Sequence, residues 1–251
     1  MSEACASEPC SPRGGRFVTT HWSRLVLATR EDSPAATAAL EELCRTYWYP
    51  LYAFVRRQGK NPADAEDAVQ AFFARLLSKK LLARADPARG RFRAFLLTAF
   101  MNFLVSEWER ETATKRGGGQ PVLSLENLQP ETVYSRDADP ALTPDQAYDR
   151  AWACRLLATV REHVRMDYAE RGQARRYELL EAFLPGGDGQ LSYSEAAAEL
   201  GLGEVSVRAE VHRLKKRYRA ALRTEIAATV SSAEEVDEEL RSLMAGVAGS
   251  P

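Results

Sequence analysis

The chain has 251 residues, 45% of them hydrophobic and 27% charged, with a formal net charge of -1 at pH 7. That balance is ordinary for a globular protein with a sizeable core, and its length suits two small domains or one larger one. It excludes a protein that holds polyanions by sheer positive excess. No apolar run reaches membrane length, and the N-terminus lacks the charged-then-apolar order of a signal peptide, so a cytoplasmic location is expected.

The charge is segregated. Glu204 to Arg219 carries Arg208, Arg213, Lys215, Lys216, Arg217 and Arg219 against Glu204 and Glu210. Glu225 to Arg241 carries Glu225, Glu234, Glu235, Asp237, Glu238 and Glu239 against Arg241 alone. A basic helix followed by an acidic tail hides inside the near-zero total, and local patches decide nucleic-acid affinity more than the sum does.

Taken in chain order, Met1 to Arg16 is rich in Ser, Pro and Gly and reads as a disordered lead. Thr20 is placed to cap a short helix with Trp22, Leu25 and Val26 on its apolar face. Ala35 to Arg57 predicts a strong helix, since Leu40, Leu43, Cys44, Tyr47, Leu51 and Phe54 recur at three- and four-residue steps. A kink is expected at Pro50. After the Gly59–Pro62 turn, a second helix to Leu82 places Ala65, Val69, Phe72, Phe73, Leu76 and Leu77 inward. The polar loop from Ala83 to Gly90 leads to a third helix, Phe92 to about Thr112. Phe95, Phe100 and Phe103 belong to its core face, and Phe92 stays open between core and ligand contact. Short connections predict one small bundle. From Gly117 to Thr143 apolar periodicity fades, which is linker composition.

The second block predicts a helix from Pro144 to about Arg171, bearing Ala147, Ala151, Cys154, Leu157, Val160 and Val164. Ala174 to Leu184 follows, stopped by Pro185. Tyr193 to Leu200 is a short helix opened by Ser192, and Gly201-Leu202-Gly203 breaks it. A basic helix runs from Glu204 to about Val230, and an acidic amphipathic helix from Ala233 to Ala245. No segment alternates long enough for a strand. The expected class is all-α: two small helical bundles joined by a flexible linker, the C-terminal one containing a helix-turn-helix.

A short Ala-rich helix, a three-residue Gly turn and a second helix carry that last expectation. Ser192 with Glu195 three residues on is a capping box. On a helical wheel, Val207, Val211, Leu214, Tyr218 and Leu222 line one side of the basic helix. Val205, Ser206, Arg208, Ala209, His212, Arg213, Lys216 and Arg219 lie away from it, small near the start and basic farther along. A recognition helix sets its first turns against base edges and its later cations on phosphates. Arg208 is placed to read guanine bidentately and His212 to reach a base or phosphate. A lone basic run is more often a solvated helix face, but here turn, cap and wheel agree on DNA binding.

Nothing points to catalysis. Cys5, Cys10, Cys44 and Cys154 have no metal or redox spacing, so reduced thiols are expected, with Cys44 and Cys154 in the core. Trp22, Trp48, Trp108 and Trp152 read as packing residues. Gly117-Gly118-Gly119 follows a helix rather than preceding one and lacks the Lys-Ser/Thr pair of a phosphate loop. No enzyme activity, metal, cofactor or small-molecule substrate is expected.

The run from Asp64 to Leu77 resembles the polymerase-binding helix of bacterial sigma factors. Arg91-Phe92-Arg93-Ala94-Phe95-Leu96-Leu97 with Asn102, at the family's interval, resembles its promoter-melting helix. With the C-terminal motif, Phe17 to about Leu243 resembles an extracytoplasmic-function (ECF) sigma factor. The Phe17–Ser23 and Tyr47–Tyr52 runs are similar to one ECF-like branch. The resemblance implies core RNA polymerase and promoter DNA as partners, with room for an anti-sigma factor and none for a membrane. It implies that Asp64, Glu66, Asp67 and Gln70 meet the polymerase clamp, although the first three also suit a plain acidic helix start. It implies minus-ten contacts from Arg89, Gly90, Arg91, Phe92, Arg93, Asn102, Arg110, Lys115 and Arg116.

The expected division is a lead over 1–16, a polymerase-binding and promoter-melting domain over 17–116, a linker over 117–143, a minus-thirty-five-reading domain over 144–230 and an acidic tail over 231–251. Ala209-Glu210 and the tail depart from the family pattern, and the tail is open to a docking or autoinhibitory role. The alternative is a helix-turn-helix regulator whose first block binds a ligand or protein.

Overall fold

The computed structural model describes residues 34–77, 82, 86, 90–113, 130–137, 139–185, 187, 191–230 and 232–248. Among the described residues there are nine α-helices and no strand, so the all-α class holds. The first three are α1 (Pro34–Arg57), α2 (Pro62–Leu77) and α3 (Phe92–Ala113). Then come α4 (Pro130–Asp137), α5 (Pro144–Glu170), α6 (Ala174–Leu180), α7 (Tyr193–Leu200), α8 (Glu204–Ala227) and α9 (Ala233–Ala248). The expected lead, the helix at Thr20, positions 78–81 of the second helix and the glycine run at 117–119 lie outside the described residues.

The core begins with α1. From Tyr47 to Val55 every residue except Tyr49 is buried, with the helix running through Pro50. A helix apolar all round must be enclosed on all sides. Trp48 stacks on Phe73 of α2 at 5.9 Å, and Phe54 meets Phe100 of α3 edge-on at 6.2 Å. Phe72 completes an aromatic cluster with Phe100 at 4.9 Å and Phe103 at 5.6 Å. The opposite side of α1 packs against α5, its most extensive helix contact. One apolar core therefore runs through both blocks.

Capping chemistry sets the helix starts. Asn61 Oδ1 accepts from the Asp64 amide at 2.8 Å to open α2, and Thr143 and Gln146 form a capping box at α5. The buried stripe of α5 is Tyr148, Trp152, Leu156, Val160, Val164 and Tyr168. Cys154 lies midway between Trp152 and Leu156, on the far side of the helix, and is exposed rather than in the core. Cys44 is buried as expected, and burial first, with Glu41 second, pushes its thiol up to about 12. Trp48 and Trp152 are packing residues at 3% and 2% exposure.

The stretch expected as linker contains a helix. Glu131 of α4 accepts from Arg56 Nε at 2.9 Å and Nη2 at 2.8 Å, and from the Tyr52 hydroxyl at 2.5 Å. Tyr134 adds an edge contact to Tyr52 and lies under the Arg56 guanidinium at 4.9 Å. An eight-residue helix is marginal alone, and these contacts to α1 hold it. Arg56 first and Tyr52 second hold the Glu131 carboxyl below its ordinary value. A depressed carboxylate stabilises the fold above its unfolded value, about 4.3, and that stability is lost as pH falls through the folded value. Glu131→Gln is expected to lower the urea midpoint at pH 7, with the gap to the parent protein closing below about pH 4. A gap that does not change with pH would mean the tether is not ionic.

Candidate nucleic-acid interface

Three regions hold the sequence-predicted site residues. The first is the α7–α8 pair. Ser192 Oγ accepts from the Glu195 amide at 3.2 Å while Glu195 accepts from the Ser192 amide at 2.8 Å, completing the capping box. Gly201 ends α7 at φ +63°, in the left-handed region. The Leu202 amide reaches Ala197 O at 3.0 Å and the Gly201 amide reaches Ala198 O at 3.3 Å, the paired bonds of a Schellman turn. Ala196 and Ala197 are buried where α7 crosses α8.

The wheel drawn for α8 matches its burial. Val207, Val211, Leu214, Tyr218 and Leu222 are buried. Val205, Ser206, Arg208, Ala209, His212, Arg213 and Lys216 are all exposed, Val205 at 82%. Glu210 is half-buried and ties Arg213 at 2.8 Å and Arg176 of α6 at 3.5 Å, which accounts for an acid within a basic helix. Arg208 lies over the Tyr193 ring at 4.5 Å and pairs with Glu204 at 3.6 Å. Tyr193 in turn stacks on Phe183 at 4.6 Å. This Phe183–Tyr193–Arg208 stack limits where the guanidinium points. In the sequence Tyr193 marks a helix start, and an aromatic just after a capping Ser, across a Gly turn from an Arg, is the signal for this stack.

The second region is α2. Ala65, Val69, Phe72, Phe73 and Leu76 are buried, Asp64 and Asp67 are exposed, and Glu66 and Gln70 are half-buried. Asp64, Asp67, Ala68 and Ala71 line a groove of about 650 Å³ with Met101, Leu104 and Val105 of α3. Glu66 and Gln70 do not line it. Met101 and Val105 are apolar side chains left at 37% and 57% exposure.

The third region is the start of α3. Gly90 has φ +115°, a conformation that favours glycine. Phe92 is fully buried against Tyr47, with ring centroids 5.5 Å apart, so it is a core residue and not a stacking surface. Arg93 is only 8% exposed. Its guanidinium donates to Glu239 at 2.5 and 3.1 Å and to Ser242 Oγ at 3.2 Å, pairs with Asp149, and lies over Trp152 at 4.9 Å. Arg91 reaches Glu239 at 2.8 Å and Glu238 at 3.1 Å. Both arginines expected on DNA thus already hold carboxylates. Burial works against the Arg93 charge, but Glu239 and Asp149 outweigh it and raise its basicity. Asn102 is exposed. Arg110 is within α3 with its side chain undescribed, and Arg89, Lys115 and Arg116 lie outside the described residues.

Residues 43–114, from within α1 to the end of α3, match the family model described as Sigma-70 region 2. That match supports a sigma-70 family sigma factor, and with it a role in transcription initiation. It implies core RNA polymerase and promoter DNA as partners. No curated protein and no solved structure matches the chain. The α2 and α3 candidates fall inside the matched region, and the α7–α8 pair falls outside it. Among the described residues no cluster of His, Cys, Asp and Glu is placed to hold a metal ion, and no helix is long and apolar enough to cross a membrane.

A Cβ on Gly201 would meet nothing within 4 Å, so its only penalty is conformational. Gly201→Ala is expected to cost roughly 1–2 kcal/mol, the left-handed penalty for an L-residue. Thermal unfolding checks this, and an unchanged midpoint would rule out the turn as described.

Proposed function

We propose that the chain is a promoter-recognising sigma factor of the extracytoplasmic-function type. In this reading α2 and α3 bind core polymerase and open the minus-ten region, while α7 and α8 form a helix-turn-helix that reads the minus-thirty-five element. One observation carries it. A region matching Sigma-70 region 2 shares the chain with a separate helix, α8, whose buried apolar side faces inward and whose small-then-basic side faces solvent. A solvated basic face alone would not need that order of small residues before cations. A recognition helix does, because its first turn must approach base edges closely and its later cations meet phosphates.

Arg208 is the residue assigned to direct readout. Its partner Glu204 is exposed and 3.6 Å away, an ion pair weak enough to exchange for a base edge. His212, Arg213 and Lys216 follow the backbone. On α2, Asp64 and Asp67 beside the exposed Met101 and Val105 make an acidic-apolar rim suited to a clamp helix, with Glu66 and Gln70 on its flank. Catalysis, metal and cofactor are assigned to the polymerase, not to this chain.

Reconstituted transcription tests the reading. Specific initiation that requires both this chain and core polymerase supports it, whereas duplex binding without polymerase association supports a helix-turn-helix regulator. Arg208→Ala is expected to weaken binding to the upstream element by about 1–3 kcal/mol and to spare core association, the cost of a lost bidentate base contact. Gln70→Ala is expected to weaken core association and spare the upstream contact. If gel-shift and pull-down measurements leave both variants at parental values, these assignments fail.

A further inference from the structure

Glu239 stands where an amphipathic helix calls for an apolar residue. Val236, Glu239 and Leu243 are the buried positions of α9, with Leu240 half-buried beside them. A carboxylate at 0% exposure is tolerated in such a stripe only when paired. Its pairs are Arg93, gripped through both carboxylate oxygens, and Arg91 at 2.8 Å. Glu238 takes the other arm of Arg91 at 3.1 Å. To these two guanidinium groups α9 offers what a nucleic-acid backbone offers, anionic oxygens at a spacing that suits a planar fork.

The docking of α9 leans on those charges. Val236 and Leu243 are its only fully buried apolar side chains among the described residues, and Met244 and Val247 remain at 57% and 37% exposure. Glu238 has a side chain 59% exposed, so its bond to Arg91 is open to exchange with a competing anion and to screening by salt. The same cluster joins the two blocks, since Arg93 of α3 also pairs with Asp149 of α5, and the Tyr148 hydroxyl of α5 donates to Arg93 O at 3.0 Å.

We propose that α9 is an internal competitor of the promoter strand. With α9 docked, Arg91 and Arg93 are occupied and the blocks are latched; a strand bound at the start of α3 must displace α9. The inference rests on the reading of this segment as the minus-ten contact.

The full-length chain with Glu238→Gln and Glu239→Gln tests it against a control with Glu234→Gln and Asp237→Asn. The control has the same change in charge on the same helix; it removes the Asp237 pair with Arg223 of α8 at 2.7 Å but leaves the Arg91 and Arg93 pairs in place, so it separates a general loosening of α9 from release of those two arginines. The probe is a fluorescent duplex with an unpaired A+T-rich bubble, titrated with and without core polymerase, and hydrogen exchange is followed over residues 233–248. Faster exchange there, with bubble binding about tenfold tighter than in the control, is expected, the scale of one charge-assisted hydrogen bond. Should the double variant fail to fold, Glu239→Asp keeps the buried charge but shortens its reach, and is expected to move both readouts the same way by less. Faster exchange without tighter binding overturns the inference and leaves α9 a structural staple. Equal binding by the variant and its control overturns it as well. If no form binds the bubble, with or without polymerase, the minus-ten reading itself fails and the inference falls with it.

Discussion

The all-round burial of α1 is the constraint on which the rest of the structure depends. Tyr47, Trp48, Pro50, Leu51, Tyr52, Ala53, Phe54 and Val55 together face nearly every direction around the helix axis, the half-buried Tyr49 aside, and all are buried. A single bundle of α1 with α2 and α3 covers only part of that surface. The remainder needs α5, which belongs to the second half of the chain, and α4, which the Arg56–Glu131 pair holds beside the end of α1. The two blocks are therefore not independent in this arrangement. Apolar area left bare on α1 is the penalty for separating them, at roughly 25 cal/mol per Å².

The Arg93–Glu239 pair adds specificity to that apolar contact. Two charges taken out of water gain little net stability over a well-packed apolar pair, but they penalise any arrangement that buries one without the other. Arg93 satisfies this demand with Glu239, Asp149 and the Trp152 face at once. Three helices far apart in sequence are thereby fixed in one register. Apolar packing alone tolerates sliding more readily than a bidentate fork does.

What was legible in the sequence follows from how local the determinants are. The α7–α8 pair was readable almost residue by residue, because capping box, glycine turn and apolar stripe are all properties of neighbouring positions. Helices α1, α3 and α5 were readable from periodicity, with ends off by a residue or so. Helix α4 was not, since its eight residues have no long stripe and depend on Arg56 and Tyr52 more than seventy positions away. A loose apolar count puts Cys154 on the core stripe, but Trp152 and Leu156, two residues to either side, occupy that stripe and leave Cys154 on the far side. Sequence leaves Phe92 open between core and ligand contact, and the family resemblance assigns Arg93 to DNA, because a helix start near a polar loop usually faces solvent. Tyr47 draws Phe92 inward, and Trp152, Asp149 and Glu239 draw Arg93 inward. One clue to Glu239 was present: it falls on the apolar face of α9, between Val236 and Leu243, where a freely solvated acidic tail has no reason to be amphipathic.

The two candidate DNA surfaces are held in opposite ways, and this bears on how they can act together. The α8 face is already open, with Arg208 oriented by Tyr193 and paired only to a solvated Glu204. Engaging it requires no more than exchange of that exposed ion pair. The cations at the start of α3 are committed to α9 and α5, so engaging them requires breaking contacts that also join the blocks. On the proposed reading, a ligand that favours separated blocks and a strand that favours free Arg91 and Arg93 stabilise the same open state. Each must then strengthen the other by the same factor, since coupling between two binding events is reciprocal. On that same reading, polymerase binding at the α2–α3 groove and strand binding at the start of α3 are coupled through the contacts of α9 and α5, and the size of the linkage is bounded by the free energy of the contacts that those two helices give up.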